Sequence, residues 1–348
     1  MSRKVNIGKV SLGGKNPVRI VGMVKTPSKE IKKLVKEAQV LEREGAEIIR
    51  IAFKEKKDAQ IAKILKKEIN VPLVADIHFN WELAFLAMEA GLEGIRLNPL
   101  NIYKKNKVRE IIAEAKKRKV AVRVGVNSGG FKKEFSSPLK LAKEMAKVAS
   151  DYVKILEEEG FFDIIVSLKT SEVKSTVLAN RIFSQRFNYP LQLGVTATGP
   201  YLEGVVKSSM GAGILLFQGL GDALRVSLTG SSKEEVRIAK TILQFLGIRN
   251  FFAEIISCPT CGRCKVDLIK IVEKFKKEIE KMDEVSLPIK IAIMGCVVNG
   301  PGEAYQADIG LAFGEKRGTI FKKNRIIKIT KEDRAIKDLL EEVRNALQ

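Results

Sequence analysis

The feature that most constrains the fold of this chain is a regular alternation of short β-rich runs and amphipathic helical stretches between residues 17 and 247. Apolar runs such as VRIVGM and VPLVADI are each followed by a stretch with helical periodicity, such as WELAFLAMEAG. Strands this apolar are covered on both faces, which is typical of a parallel sheet. The predicted strands are residues 18–23, 47–53, 71–77, 93–99, 120–127, 162–169, 191–197 and 223–230.

The number of these units and their combined length, about 230 residues, match a (β/α)8 barrel. We therefore predict an α/β protein with a TIM-like barrel at 1–249, and an open doubly wound sheet is the alternative. After Arg249 the pattern changes, which indicates a second, smaller α/β domain at 250–348. Its predicted elements are strands at 250–257, 289–295, 308–313 and 325–329, a Lys/Glu-rich helix at 266–282 and a terminal helix.

The length and composition fit a globular protein of two domains. A chain of 348 residues is too long for one small core, and no segment is apolar for long enough to cross a membrane. The first ten residues lack the apolar stretch of a signal peptide, so we expect a cytoplasmic protein. In that reducing compartment its four cysteines indicate metal ligands or reactive thiols sooner than disulfides.

The net charge of +21 favours acidic partners and anionic substrates through its long-range field. Many lysines stand on helical faces mixed with glutamates, as in KEIKKLVKEAQVLEREG, which is typical of a solvated surface. An RNA-binding or regulatory protein is the alternative that the charge allows. Because several arginines lie inside predicted strands and not on one surface stripe, we expect no nucleic-acid partner.

Five cations lie on five different predicted strands, toward the end of the barrel where active sites form. Each follows apolar residues, where a merely solvated charge would be out of place. Any one could instead be structural, paired with Asp76 or a loop carbonyl. Together they would repel one another unless an anion with several charges joins them, and a diphosphate fits that requirement. The five are Arg50, Arg96, Arg123, Lys169 and Arg225.

Polar neutral side chains stand close to these cations in the sequence and supply hydrogen-bonding groups. They are Asn98, Asn127, Thr196 and Ser227. Asp76 is the acidic exception, suited to bind a sugar-like hydroxyl or to orient an arginine. The sole histidine, His78, follows the third strand, where a packing or loop role is the commoner one.

The cysteines fall in two segments, CPTCGRC with Cys258, Cys261 and Cys264, and MGCVVNGPGEA with Cys296 and Glu303. Both segments begin where an apolar strand ends. The two thiolates of a CxxC motif, here Cys258 and Cys261, can bind the same metal site. A structural zinc with four cysteines is one interpretation. It would suit a barrel lyase or transferase acting on a phosphorylated small molecule. An iron–sulfur cluster is favoured if the fourth ligand is a labile oxygen, which leaves one iron open to substrate.

The motifs CPTCGR, GCVVNGPGEA, VADIHF, GIRLNP, RVGVN, VSLK and GDALRVSL resemble signatures of the 4-hydroxy-3-methylbut-2-enyl diphosphate synthase family, in the family's order. The resemblance covers almost the whole chain and implies the bacterial two-domain form, a substrate-binding barrel followed by a domain for a [4Fe-4S] cluster. The implied cluster ligands are Cys258, Cys261, Cys296 and Glu303, while Cys264 falls where the family has no ligand.

The resemblance implies reductive ring opening of 2-C-methyl-D-erythritol 2,4-cyclodiphosphate in the non-mevalonate route to isoprenoids. It also implies flavodoxin or ferredoxin as electron donor and a homodimer whose active site is shared between subunits. Catalytic roles are implied for Asp76, Asn299 and Glu303. The implied substrate-binding residues are Arg50, Asp76, Arg96, Asn98, Arg123, Asn127, Lys169, Thr196, Arg225 and Ser227.

The chain departs from the family pattern at three places. VGMVKT stands where the family usually has Gln-Ser-Met-Thr after the first strand, and VNSGG replaces a VNxGS-like loop. Ala197 stands where the family has the glutamate of Thr-Glu-Ala-Gly, a residue implied in proton transfer. We therefore expect this protein to bind the substrate normally and to turn it over slowly.

Overall fold

The computed structural model describes residues 1–282, 289–297, 304–305, 307–323 and 325–347. The chain divides into two compact units, Met1–Arg249 and Asn250–Gln348. Within the described residues, no helix combines the length and apolarity needed to span a membrane.

The first unit is built around a sheet of eight parallel strands in the order β8-β7-β6-β5-β4-β3-β10-β9. A parallel bridge between Val166 and Leu191 joins the two ends of this order, so the sheet curves round into a barrel. The prediction of a (β/α)8 barrel is confirmed, and the open sheet is wrong. The strands are β3 (Arg19–Met23), β4 (Ile48–Phe53), β5 (Leu73–Ile77), β6 (Gly94–Leu97), β7 (Ala121–Asn127), β8 (Ile164–Lys169), β9 (Gln192–Leu193) and β10 (Ala223–Leu224).

The last two barrel strands are much shorter than the predicted runs at 191–197 and 223–230. After β9 the backbone leaves the extended conformation, with φ at +155° at Gly194, +49° at Ala197 and +97° at Gly199. A β-strand needs an extended backbone with negative φ. The residues after β9 therefore form a loop, although their apolar sequence predicts a strand.

Helices connect the barrel strands, as the sequence periodicity predicts. Helix α5 shows how one begins: Ser137 accepts a hydrogen bond from the Lys140 backbone, and Pro138 occupies the first turn. The helices are α1 (Ile31–Arg43), α2 (Asp58–Glu68), α3 (Glu82–Glu89), α4 (Lys105–Arg118), α5 (Pro138–Glu158), α6 (Val173–Ser184), α7 (Tyr201–Phe217) and α8 (Ser232–Phe245), with a 3-10 turn at Ser128–Gly130.

An N-terminal hairpin, β1 (Val5–Ile7) and β2 (Val10–Leu12), covers the amino ends of the barrel strands. Val5, Ile7 and Leu12 pack there against the first residues of several strands. The sequence reading missed this hairpin because three-residue strands carry almost no periodicity.

The second unit has a five-stranded sheet in the order β11-β12-β13-β14-β15, in which the first three strands pair in parallel and the last two each pair antiparallel with the strand before them. Helices α9 (Leu268–Ile279) and α10 (Ala335–Leu347) contribute Phe275 and Leu339 to the core, which also holds Ile291 and Leu311 of the sheet. The strands are β11 (Glu254–Ser257), β12 (Lys290–Met294), β13 (Ile309–Gly314), β14 (Arg317–Lys322) and β15 (Arg325–Lys331).

Two predictions for this unit need correction. Strand β14 was not predicted, because the tight turn before it places Lys316 at a positive φ, where glycine or asparagine is the usual signal. The helix predicted over 266–282 covers only Leu268–Ile279, since the side chain of Asp267 accepts a hydrogen bond from the Lys270 backbone and caps it.

Candidate active site

The structure gathers the five predicted cations and one carboxylate at one end of the barrel. Arg96 and Arg123 are neighbours in register on β6 and β7, and Asp76 on β5 is the neighbour of Arg96. Because parallel strands end at the same rim, the alternation seen in the sequence is what brings these distant residues together. We call Arg50, Arg96, Arg123, Lys169 and Arg225 the barrel cation cluster.

Asp76 is the centre of charge pairing in the cluster. Its carboxylate oxygens lie 3.4 Å from Arg96 Nη1, 3.8 Å from Arg50 Nη2 and 3.9 Å from Arg123 Nη2. Burial alone would raise the pKa of Asp76, but Arg50, a hydrogen bond with His78, Arg96 and Arg123 together hold it well below its usual range. Asp76 is therefore ionised at neutral pH.

Arg96 is held in one orientation by its surroundings. Its Nη2 donates to the carbonyl of Gly125 at 2.8 Å, and its Nη1 lies 3.1 Å from His78 Nε2. A Cβ atom at Gly125 would collide with Arg96 Nε, so a larger residue at this position would displace the Arg96 side chain. His78 is partly exposed and also contacts Asn101, at 3.3 Å, so it orients Arg96 from the rim.

A second buried carboxylate, Glu235, holds Arg225, and the sequence reading missed it. Its Oε2 lies 3.5 Å from Arg225 Nη2, while its Oε1 lies 2.8 Å from Lys25 Nζ and accepts from the Leu228 backbone at 2.9 Å. In sequence it looks like an ordinary acidic residue in the first turn of a helix. Lys25 belongs to the segment VGMVKT, for which the sequence predicts no role in the site. Arg225 Nη1 also donates to Ser227 Oγ.

Several nitrogen atoms of the cluster are buried without a hydrogen-bond acceptor among the described residues: Lys169 Nζ, Arg123 Nε and Nη2, and Arg225 Nε. Burial first, and then the neighbouring arginines, lower the pKa of Lys169 well below its ordinary value. Burial likewise lowers the pKa of Arg225 to about 10, with Arg50 adding to the effect. A buried donor without an acceptor is costly, and an anion with several oxygens would satisfy all of these donors.

The predicted neutral groups lie around the same rim. Asn98 is buried, and its Oδ1 accepts from the Leu100 backbone at 3.1 Å. Asn127 ends β7 directly beside Lys169, the last residue of β8. Thr196 lies half-buried in the loop after β9, and the next residue, Ala197, is exposed in a left-handed conformation.

In the second unit, the two cysteine segments lie at one edge of the sheet. Cys258 directly follows β11 and Cys296 comes just after β12, and these strands are parallel neighbours. The Gly295 backbone donates to Cys258 Sγ at 3.4 Å, which ties the two loops together. Cys261 is exposed, whereas Cys264 Sγ donates to the Val266 carbonyl at 3.2 Å and packs over Gly295.

The donor set fits an iron–sulfur cluster in its chemistry, because clusters are bound by thiolates and several cysteines here share one sheet edge. None of the four cysteines forms a disulfide. Among the described residues, no three His, Cys, Asp or Glu side chains are placed around a single metal ion. The predicted ligand Glu303 and the predicted catalytic Asn299 lie outside the described residues.

Solved structures similar to this chain share the barrel. Dihydropteroate synthase of Yersinia pestis matches with a TM-score of 0.52 at 14% identity, covering 70% of this chain and 98% of that protein. The same enzyme of Xanthomonas albilineans gives 0.53 at 14%, covering 71% and 99%. At this identity the likeness concerns the fold alone.

Comparison of the sequence with family models and with known proteins identifies relatives along the whole chain. The GcpE TIM-barrel domain matches residues 2–240, and the GcpE protein C-terminal domain matches residues 254–345. A protein of Thermodesulfovibrio yellowstonii is 46% identical, covering 99% of this chain and 98% of its own length, and one of Persephonella marina is 44% identical over 99% and 97%. Both are named 4-hydroxy-3-methylbut-2-en-1-yl diphosphate synthase (flavodoxin). The chain therefore belongs to the GcpE family, the family of these diphosphate synthases.

Proposed function

We propose that this protein reduces 2-C-methyl-D-erythritol 2,4-cyclodiphosphate to (E)-4-hydroxy-3-methylbut-2-enyl diphosphate in isoprenoid synthesis. The reaction opens the cyclic diphosphate at a carbon–oxygen bond and removes one hydroxyl oxygen as water, and it consumes two electrons and one proton. The relatives' names support the reaction, and one structural observation supports the substrate: five cations are collected in the barrel, and most of them are buried.

The charges of the barrel cation cluster are matched to a multiply charged anion. Among the described residues, only Asp76 and Glu235 form ion pairs with its five members. Buried charges that outnumber their partners are strongly destabilising, so an anion with at least two charges is the natural complement. Unpaired donors of Arg123, Lys169 and Arg225 would bind the phosphate oxygens, with guanidinium forks and an ammonium point charge.

Asp76 acts as a positioning group and hydrogen-bond acceptor. Because its pKa lies well below the usual range, it carries no proton to give at neutral pH. It fixes Arg50, Arg96 and Arg123 through three ion pairs, and a free oxygen lone pair can accept from a substrate hydroxyl. The proton for water loss must therefore come from another group.

We assign the second unit to a [4Fe-4S] cluster held by Cys258, Cys261, Cys296 and Glu303. When bound, such a cluster supplies electrons one at a time to the substrate. Cys264 takes no part, since its thiol is engaged with the Val266 carbonyl of its own loop.

The partners proposed follow from charge and from the relatives' names. Flavodoxin or ferredoxin would deliver the electrons, and both are typically acidic, which complements a chain of net charge +21. We further propose a cytoplasmic homodimer in which the active site is shared between the two subunits.

Substrate binding tests this assignment without requiring the cluster. Replacing Arg123 or Arg225 by Met removes a charge-assisted hydrogen bond to phosphate, and Arg96→Met removes a third buried positive charge from the anion site. Each variant should therefore bind the cyclic diphosphate about 1.5–3 kcal/mol more weakly in calorimetry. Arg118→Met, on the outer surface of α4, is the matched control and should bind like wild type. Equal binding by wild type and all three barrel variants would remove the substrate assignment.

A further inference from the structure

The side chain of Lys25, in the loop that follows β3, reaches across to the loop that follows β10. Its Nζ donates to the carbonyls of Leu228 at 3.0 Å and Gly230 at 2.8 Å, and it lies 2.8 Å from Oε1 of Glu235. An ammonium group has three hydrogens, and three acceptors surround this one. Lys25 therefore has no donor left for a substrate, and its charge is held in one place.

The backbone of Lys25 is fixed as well, by a carboxylate of helix α1. Oε1 and Oε2 of Glu37 accept from the Lys25 backbone at 3.1 and 3.2 Å, and Oε2 also accepts from the Thr26 backbone at 2.8 Å. The hydroxyl of Ser232, the first residue of α8, donates to the same carboxylate. Glu37 thus ties Lys25 to the start of the helix that carries Glu235, and this sets the position of the ammonium relative to that second carboxylate.

Glu235 is shared between two cations. Its Oε1 faces Lys25 and also accepts from the Leu228 backbone, whereas its Oε2 lies 3.5 Å from Arg225 Nη2. That contact with Arg225 is longer than a hydrogen bond between charged groups, which spans about 2.7–2.9 Å. Arg225 also keeps a buried Nε that has no acceptor within the described parts of the chain. One carboxylate cannot neutralise both Lys25 and Arg225, so the three groups together retain one positive charge.

We infer that Lys25 is a positioning residue that keeps Arg225 available for the phosphate groups of the substrate. Without Lys25, the charge of Glu235 would fall entirely to Arg225, and the two would close into a bidentate ion pair of no net charge. Arg225 would then be withdrawn from the anion. Lys25 prevents this by holding one oxygen of Glu235, although it does not bind the anion itself. This role rests on the diphosphate site proposed above and concerns how one arginine of that site is kept free.

Calorimetry with the cyclic diphosphate, and with inorganic diphosphate as a second probe, tests this role. Lys25→Met should weaken the binding of both anions at least about tenfold, a change within the range of coupling between neighbouring charged groups. Glu235→Gln, added to Lys25→Met, should restore most of that affinity, because the amide carries no charge to bind Arg225. Lys147→Met, at an exposed lysine of α5 that pairs with Asp151, is the matched control and should bind like wild type.

Restoration by Glu235→Gln separates an effect of charge from one of loop structure. If the double variant binds as weakly as Lys25→Met, then Lys25 only ties the loops after β3 and β10 together, and the inferred role is wrong. The role is equally wrong if Lys25→Met binds both anions like wild type. If wild type binds inorganic diphosphate but not the cyclic diphosphate, the proposed substrate is wrong, and binding of the inorganic anion by the variants still decides the role of Lys25.

Discussion

Two buried carboxylates, Asp76 and Glu235, divide the cations of the barrel rim unequally. Asp76 pairs with Arg50, Arg96 and Arg123, while Glu235 pairs with Arg225. Lys169 has neither an ion pair nor a hydrogen bond for its Nζ among the described residues, although it is buried among four arginines. Lys169 is therefore the member of the cluster that loses its proton most readily.

Substrate binding should consequently take up a proton at Lys169. The pKa of this lysine is well below its ordinary value without substrate, and a phosphate beside it favours the charged form, so binding raises the pKa again. Between these two pKa values the complex holds more protons than the free protein, so affinity should fall as pH rises. Calorimetry in buffers of different ionisation enthalpy measures this uptake directly, up to one proton per site.

The matched variants locate the proton. The cyclic diphosphate has one ionisable oxygen on each phosphorus and does not itself titrate near neutral pH. Lys169→Met should abolish the uptake, whereas Arg225→Met should keep it, because the pKa of Arg225 is about 10 and that arginine stays charged at pH 8. An unchanged uptake in Lys169→Met would assign the proton to another group.

Ala197 stands where the family resemblance predicts a glutamate. It is exposed and lies in a left-handed conformation, which is about as strained for alanine as for glutamate. Ala197→Glu restores a positioned acid–base group, and such groups contribute typically 10²–10⁴-fold. The turnover number should rise at least about tenfold with little change in substrate affinity, measured by steady-state kinetics. Fast turnover by the unmodified protein, unaltered by the substitution, would show that another group moves the proton.

At the scale of elements, the two cysteine loops of the second unit carry the cluster assignment. Reconstitution without oxygen should give about four iron and four sulfide per chain. Cys296→Ser should lose the iron and the brown absorption. Cys264→Ser should keep both, since the Cys264 thiol donates a hydrogen bond to the Val266 carbonyl and packs over Gly295. Greater damage from Cys264→Ser than from Cys296→Ser would make a four-cysteine site the better description.

How far the sequence predicts the elements depends on their length and surroundings. Long apolar strands such as β4 and β7 are evident because both faces are buried. The run at 191–197 also resembles a strand in sequence, but Ala197 has a positive φ, which an alanine does not signal. The hairpin β1–β2 is too short to show a period. The sequence thus predicts the barrel well and its irregular rim poorly.

The same limit holds for the candidate site. Arg96 and Arg123 could be found because a charge inside an apolar strand is conspicuous. Glu235 could not, since an acidic residue in the first turn of a helix is common for local reasons. That it reaches Arg225 and Lys25 depends on how α8 packs beside the loops at the barrel rim, which only the fold shows.

For the whole molecule, we propose that the barrel cation cluster and the cysteine loops serve one reduction. An anaerobic assay of reconstituted protein with the cyclic diphosphate and reduced flavodoxin would decide this. We predict slow formation of the hydroxymethylbutenyl diphosphate with two electrons consumed for each product, reduced in Arg123→Met and absent in Cys296→Ser. If protein with its full iron content binds the cyclic diphosphate, yet forms no product and oxidises no carrier over long incubation, the two sites do not serve this reduction.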